Sequence, residues 1–157
     1  MAVTARNIME TQVVTLSPND PLPSVFRLFF EEEIHGAPVV DDEGRVLGIV
    51  TSLDLLRTAV DEHDSERGDP TYLRELFEMS DADWAAEPDG LLDGLRDRTA
   101  SEIMTEAVAC VGPDTSVVEI AQTLRSHHIH RVLVVKDDIL KGIVTTFDLV
   151  GLLEKTG

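Results

Sequence analysis

Cysteine and lysine are scarce in this chain and long apolar runs are missing, and each shortage excludes something. One of the 157 residues is cysteine, Cys110, so no internal disulfide can form. Apolar runs extend for only a few residues, well short of the roughly 20 that a membrane-spanning helix needs. The first residues, Met1-Ala2-Val3-Thr4-Ala5-Arg6, lack the apolar stretch of a secretory signal. These shortages predict a soluble, cytoplasmic protein. Lysine occurs three times and arginine ten, against 30 acids, for a formal charge of −17. A surface that negative repels phosphate backbones and anionic lipid, so neither nucleic acid nor membrane is an expected partner. With 43% apolar and 27% charged residues, the composition is still that of a folded domain.

The chain contains an internal repeat. Arg6-Asn7-Ile8-Met9 returns as Ser101-Glu102-Ile103-Met104, and at the same offset Val13, Pro18, Ile34, His35, Val39 and Val40 meet identical residues. After one deletion near Ile139, Gly48-Ile49-Val50-Thr51-Ser52-Leu53-Asp54-Leu55 faces Gly142-Ile143-Val144-Thr145-Thr146-Phe147-Asp148-Leu149. Each copy reads as β-α-β-β-α. Val13–Leu16 is a short strand closed by Ser17-Pro18. Asp20-Pro21 reads as a helix cap with proline in the first turn, followed by the apolar stripe Leu22, Val25, Phe26, Phe29. In the second copy Val117, Ile120, Ala121 and Leu124 repeat the stripe, and Ser116 with Glu119 fits a capping box. Strands over 37–40 and 132–135, turns over 41–45 and 137–138, and strands over 46–50 and 140–144 follow. A helix starting near Thr51 or Thr145 closes each copy. One such unit is too small to bury a full core, so the expected α/β architecture is two similar halves packed about a pseudo-twofold axis.

The predicted organisation is a first repeat over 3–59, an acidic and partly helical insert over 60–97, and a second repeat over 98–155. Residues 58–100 hold thirteen acids against four arginines, a net of −9. Asp69-Pro70 reads as a helix start with the stripe Tyr72, Leu73, Leu76, Phe77, and Ser80 or Asp81 as the cap of a second short helix carrying Trp84. That stripe either folds back onto the repeats or docks another protein.

Gly-Ile-Val-Thr-x-x-Asp, present twice, is where the chemistry is expected. A strand running straight into a helix leaves the first N–H groups of that helix without partners and its positive dipole end outward. A threonine hydroxyl there adds a donor for phosphate, and the aspartate three residues on can accept from the two hydroxyls of a ribose. The glycine lets something approach the strand closely. Thr-x-x-Asp is equally a capping box in which both side chains serve only their own helix.

The Ile-Met start, His-x-x-x-Val-Val in the middle and Gly-Ile-Val-Thr-x-x-Asp at the end together resemble a tandem pair of CBS domains, named for cystathionine β-synthase, of the kind that forms a Bateman module. The resemblance implies a regulatory module that binds AMP, ADP or ATP, or else S-adenosylmethionine, as a ligand and not as a required cofactor. It also implies a homodimer acting on a regulated protein that the sequence does not name. Carried over by motif, one site would use Thr145 for phosphate, Asp148 for ribose, Ile143 against the base and Arg131 as the phosphate cation, with Met9, Gln12, Val14, Ile34 and His35 from the first repeat. The mirror site would use Ile49, Thr51 and Asp54 with Met104, Ala107, Ala109, Ile129 and His130. Gly36 stands there in place of the cation, so the site around Asp148 is expected to bind more tightly. A module of the same fold that binds nothing and only mediates assembly is the rival reading.

Other features are read plainly. His127-His128-Ile129-His130 invites zinc or nickel, but His130 is the repeat partner of His35 and no Cys pair or His-Glu-x-x-His spacing accompanies it, so no metal site is assigned. Cys110 is expected to be a small buried thiol, and Glu31-Glu32-Glu33 a solvated helix end. With no Ser/His/Asp set, Walker loop or dinucleotide fingerprint, the chain is not expected to be an enzyme.

Overall fold

The structure, a computed structural model, describes residues 2–63 and 93–157. The helices expected around Tyr72, Leu73, Leu76 and Phe77 and around Trp84 lie outside the described residues. In chain order the described elements are α1 (Ala5–Ile8), α2 (Leu22–Glu31), β1 (Gly36–Val40), β2 (Val46–Thr51), α3 (Ser52–His63), a 3-10 turn (Asp93–Leu95), α4 (Ala100–Ile103), β3 (Cys110–Val111), α5 (Val117–His127), β4 (Arg131–Lys136), β5 (Ile139–Thr145) and α6 (Thr146–Thr156). Each repeat is therefore the mixed α/β unit that its periodicities predict.

The second repeat builds a three-stranded sheet in the order β3-β4-β5, with β3 parallel and β4 antiparallel to its neighbour. In the middle strand Val132, Leu133 and Val134 are all buried, which is why its sequence is an unbroken apolar run and not an alternation. Val132 and Val134 meet Ile120 and Leu124 of α5, together with Ala5 and Val144, in one core cluster. Burying each such side chain contributes about 1.5–3 kcal/mol. In the first repeat the strand expected over 13–16 shrinks to a parallel bridge, Leu16 to Val39, the counterpart of the Val111–Val134 pair.

The contacts divide the chain differently from its repeats. One compact unit comprises Met1–Pro18, Ala37–Ile49 and Thr105–Gly157; the other comprises Asn19–Gly36 and Val50–Met104. Bonds that cross the repeats accompany this division: Val46 N–H donates to Asp138 O at 3.1 Å and Leu140 N–H to Gly44 O at 3.0 Å, and the lead-in segments are exchanged. Ahead of the first repeat, Ala5 N–H donates to Thr115 O at 2.8 Å, and Glu10 and Ile143 exchange N–H···O bonds of 2.9 and 3.0 Å with the second repeat. Ahead of the second repeat, Ala100 N–H donates to Asp20 O at 3.0 Å, and Thr105 and Ile49 exchange bonds of 2.9 and 3.0 Å with the first repeat. Ala5 and Ala100 occupy matching positions and are fully buried.

In the second unit α2 buries Leu22, Val25 and Phe29, and α3 buries Leu55 and Ala59. The Asp93–Leu95 turn packs on α3 and buries Leu95, so the end of the acidic insert belongs to the folded body. The start of α2 differs from expectation. Pro21, not Asp20, is the cap, with extended backbone. Leu22 N–H donates to Arg98 O at 3.0 Å in a bridge between Pro21 and Thr99, and this holds Pro21 extended for one residue more. The expected box on α5 forms: Ser116 accepts from Glu119 N–H, and the Ser116 hydroxyl, followed by its backbone N–H, holds the Glu119 carboxyl below the usual carboxylate range.

Cys110 corrects the sequence reading. It is exposed, because its neighbours Ala109 and Val111 turn into the core and strand alternation sends Cys110 the other way. Partial desolvation still raises its thiol pKa, so it is not an activated nucleophile. A thiol–disulfide reagent is expected to modify it slowly at neutral pH. The rate should keep climbing with pH beyond the range where an unperturbed thiol has levelled off, because the thiolate forms later.

Candidate functional site

The site is assembled at the C-terminal end of β5 and the start of α6. Arg131 opens β4 directly opposite Thr145, which ends β5. Between His130 and Arg131 the chain is pinned to the helix start by Thr146 N–H donating to His130 O at 3.0 Å. In the first repeat Ser52 N–H donates to His35 O at 2.8 Å.

Both Thr-x-x-Asp pairs form capping boxes. Asp148 Oδ2 accepts from Thr145 N–H at 2.8 Å and from the Thr145 hydroxyl at 3.1 Å, while Thr145 Oγ1 accepts from Asp148 N–H at 3.3 Å. Asp54 and Thr51 repeat this at 2.8, 2.9 and 3.3 Å. The hydroxyl's single proton is thus committed to the carboxylate, and several of the helix's first N–H groups have acceptors within the protein. Each aspartate keeps Oδ1, which has no hydrogen bond among the described residues, and both aspartates are half-buried.

The cation expected beside this pair has no such internal partner. Arg131 is half-buried, desolvation lowers its pKa, and its guanidinium has no hydrogen bond or ion pair among the described residues. Five donors in a fixed fork, partly withdrawn from water and unpaired, carry an uncompensated desolvation cost that a bound anion would remove.

The approach that Gly142 permits is made by the protein itself. A Cβ there would lie 2.8 Å from Glu10 O and 2.8 Å from Met9 Sδ, so the glycine admits the lead-in segment across β5. Met9 and Ile143 are thereby brought together. Glu10, which motif reasoning passed over, makes the link; its only sequence signal is that it matches Thr105, which performs the mirror task on Ile49. Glu10 Oε1 also accepts from the backbone N–H of exposed Gln12 at 2.7 Å, and Val14 is half-buried. Ile34 and His35 belong to the other unit.

Of the mirror set, Ile49 is paired with Thr105, and Ala109 O accepts from Leu133 N–H at 3.1 Å. Ile129 is half-buried against the core cluster, whereas His130 and Ala107 are exposed. These residues belong to the first unit, and Thr51, Asp54 and Met104 to the second. Gly36, the counterpart of Arg131, supplies no charge. The Glu31–Glu33 run is exposed, as a solvated helix end should be.

Known proteins resemble this chain. The CBS domain family model matches residues 5–61 and 100–155. An uncharacterized protein of Methanocaldococcus jannaschii is 30% identical over 152 residues, spanning 94% of this chain and 89% of that protein. Among solved structures, the CBS domain of a CBS domain containing membrane protein from Sphaerobacter thermophilus is 38% identical, with a TM-score of 0.70 over 96% of this chain and 88% of that one. Two more support the fold at 22% identity. CBSX2 in complex with AMP has a TM-score of 0.71, covering 97% of each chain. The CBS domain pair of protein MJ0100, in complex with 5′-methylthioadenosine and S-adenosyl-L-methionine, has a TM-score of 0.68, covering 100% of each. No helix among the described residues is long and apolar enough to cross a membrane.

Proposed function

Because this chain belongs to the CBS domain family and carries two copies of the domain, we propose that it is a cytoplasmic regulatory module, not a catalyst, that binds AMP, ADP or ATP and acts on a partner protein. The observation that carries this reading is the unpaired, half-buried guanidinium of Arg131 opposite Thr145. A phosphate accepted there gives the cation its missing counter-charge. Asp148 holds the helix start with Oδ2 and offers Oδ1 to a ribose hydroxyl, while Met9 and Ile143 supply apolar contact for a base. Gln12 and Val14 continue the same lead-in strand. Arg131, in place of Gly36, makes this the tighter of the two proposed sites.

A thermal-shift panel of AMP, ADP, ATP and S-adenosylmethionine tests the reading. A ligand at a hundred times its Kd stabilises the folded state by about 2.7 kcal/mol, which for a chain of this length raises Tm by about 5 °C or more. Asp148→Asn should remove that shift. If all four compounds are silent, the module mediates assembly only, a reading favoured by the closed capping boxes at Thr51–Asp54 and Thr145–Asp148. A response to S-adenosylmethionine alone replaces the nucleotide with that ligand.

Homodimerisation is the second part of the proposal. No residue of α6 is buried, and Phe147, Val150 and Leu153 are 82%, 52% and 69% exposed. Spaced three apart, they form one apolar row suited to the same row of a second copy. Phe147→Glu should convert a dimer to a monomer in sedimentation velocity.

A further inference from the structure

Residues 120–136 form an acid-free stretch in an otherwise acid-rich chain, and they carry Arg125, Arg131, Lys136 and three of the five histidines. Where α5 ends, this stretch lines a cavity of about 740 Å³ that is broadly open to solvent. Its apolar lining is Leu124 and Ile129, and its polar lining includes Arg125, His128 and His130. No carboxylate lines it. On the elements packed against this corner, Glu119 and His127 of α5, Arg131 and Lys136 of β4, Lys141 of β5, and Asp148, Glu154 and Lys155 of α6 are not among the lining residues. Arg125, His128 and His130 have no side-chain hydrogen bond or ion pair among the described residues.

Basic residues at a helix end often serve only to offset its dipole, and the repeat separates that role from this one. The matching positions in the first repeat are Phe30, Glu33 and His35. Glu33 and His128 share the left-handed backbone, at φ 53° and 52°, so the turn itself does not require a cation. At α5 two of the last carbonyls are already served: Leu124 O accepts from His128 N–H and Ile129 N–H, and Arg125 O accepts from His128 N–H. His127, which does bond back to Thr123 O at 3.0 Å, lies outside the cavity lining. Arg125 and His128 have no basic counterpart in the first repeat, whereas His130 is matched by His35.

We infer that this cavity is a phosphoryl-binding site, with Arg125 as its fixed charge and the His128 and His130 rings as further hydrogen-bond partners. It takes a group with at least two negative charges, either inorganic diphosphate or the phosphate tail of a nucleotide. A cation at a corner that no carboxylate lines offsets locally the repulsion that the chain's net charge imposes elsewhere. The inference does not rest on adenosine binding, although it shares Ile129 and His130 with the weaker proposed site.

The test is an NMR titration of the full chain, following the histidine ring signals, in an Arg131→Gln background that removes the cation of the stronger proposed site. Sulfate is the first probe, because it carries two negative charges and neither base nor sugar. Sulfate should move the His128 and His130 signals. Arg125→Gln should weaken binding about tenfold. His128→Asn, a residue that tolerates the left-handed backbone, combined with His130→Gln, should weaken it further. Diphosphate and ATP then identify the source: equal affinities indicate a free anion, and tighter ATP binding indicates a nucleotide tail. Sulfate without effect on either ring, or binding unchanged in Arg125→Gln, overturns the site. AMP that is silent toward the parent protein while diphosphate binds through Arg125 removes the adenosine reading and leaves this one standing; the reverse pattern removes this one.

Discussion

Replacing Arg131 with glutamine is expected to weaken AMP binding by about ten- to a hundredfold while raising the Tm of the unliganded protein. The first effect follows from losing a charge-assisted bond to phosphate, about 1.5–3 kcal/mol. The second has the opposite sign because the charge is half-buried and unpaired. A guanidinium whose folded pKa is lowered by desolvation is held less well in the folded chain than in the unfolded one. Its charge therefore subtracts stability at every pH at which arginine is ionised. A purely structural arginine would lose stability on substitution and leave calorimetric titration with AMP unchanged. Arg131→Lys should recover part of the affinity but not the bidentate geometry. Titration curves for Arg131→Gln that superimpose on those of the parent protein would remove the nucleotide from this position.

Gly142→Ala should be the most damaging single-methyl change in the second repeat, costing about 1–3 kcal/mol and lowering Tm by roughly 3–10 °C. The added Cβ would meet Glu10 O at 2.8 Å, and a backbone carbonyl held in a two-way bridge to Ile143 cannot swing aside. Met9 Sδ, also at 2.8 Å, can move more easily, so the cost falls mainly on the Glu10–Ile143 bridge. Amide exchange at Glu10 and Ile143 should accelerate together, ahead of the core amides of Val132 and Val134. Gly151→Ala is the control. Nothing lies within 4 Å of a Cβ at that helical position, and alanine there should stabilise by about 0.5–1 kcal/mol. Equal losses at the two glycines would mean that close approach is not what Gly142 provides.

Much of this architecture could be read from residue spacing. Leu22, Val25 and Phe29 lie on one helix face because the chain turns every 3.6 residues, and all three are buried. Val132 to Val134 form a strand covered on both faces, and β-branched runs of that length carry the signal. The exchange of lead-in segments carried no such signal. Glu10 and Thr105 act through backbone N–H and C=O groups, which every residue possesses, so no side-chain pattern marks them. Thr145 and Asp148 fit either a ligand or a cap on sequence alone, and only the hydrogen bonds show that one carboxylate oxygen is spent and the other is not. Cys110 was misplaced because a two-residue strand is too short to display the alternation that decides which way a side chain turns.

The crossed lead-ins bear on how such a gene can be cut. A fragment ending after the first repeat would keep Glu10 but lose Ile143, and would keep Ile49 but lose Thr105. Neither half encodes a self-sufficient protein. Produced separately, the halves should be insoluble or unfolded, and mixed they should complement one another. The smallest inheritable piece that folds is the intact pair.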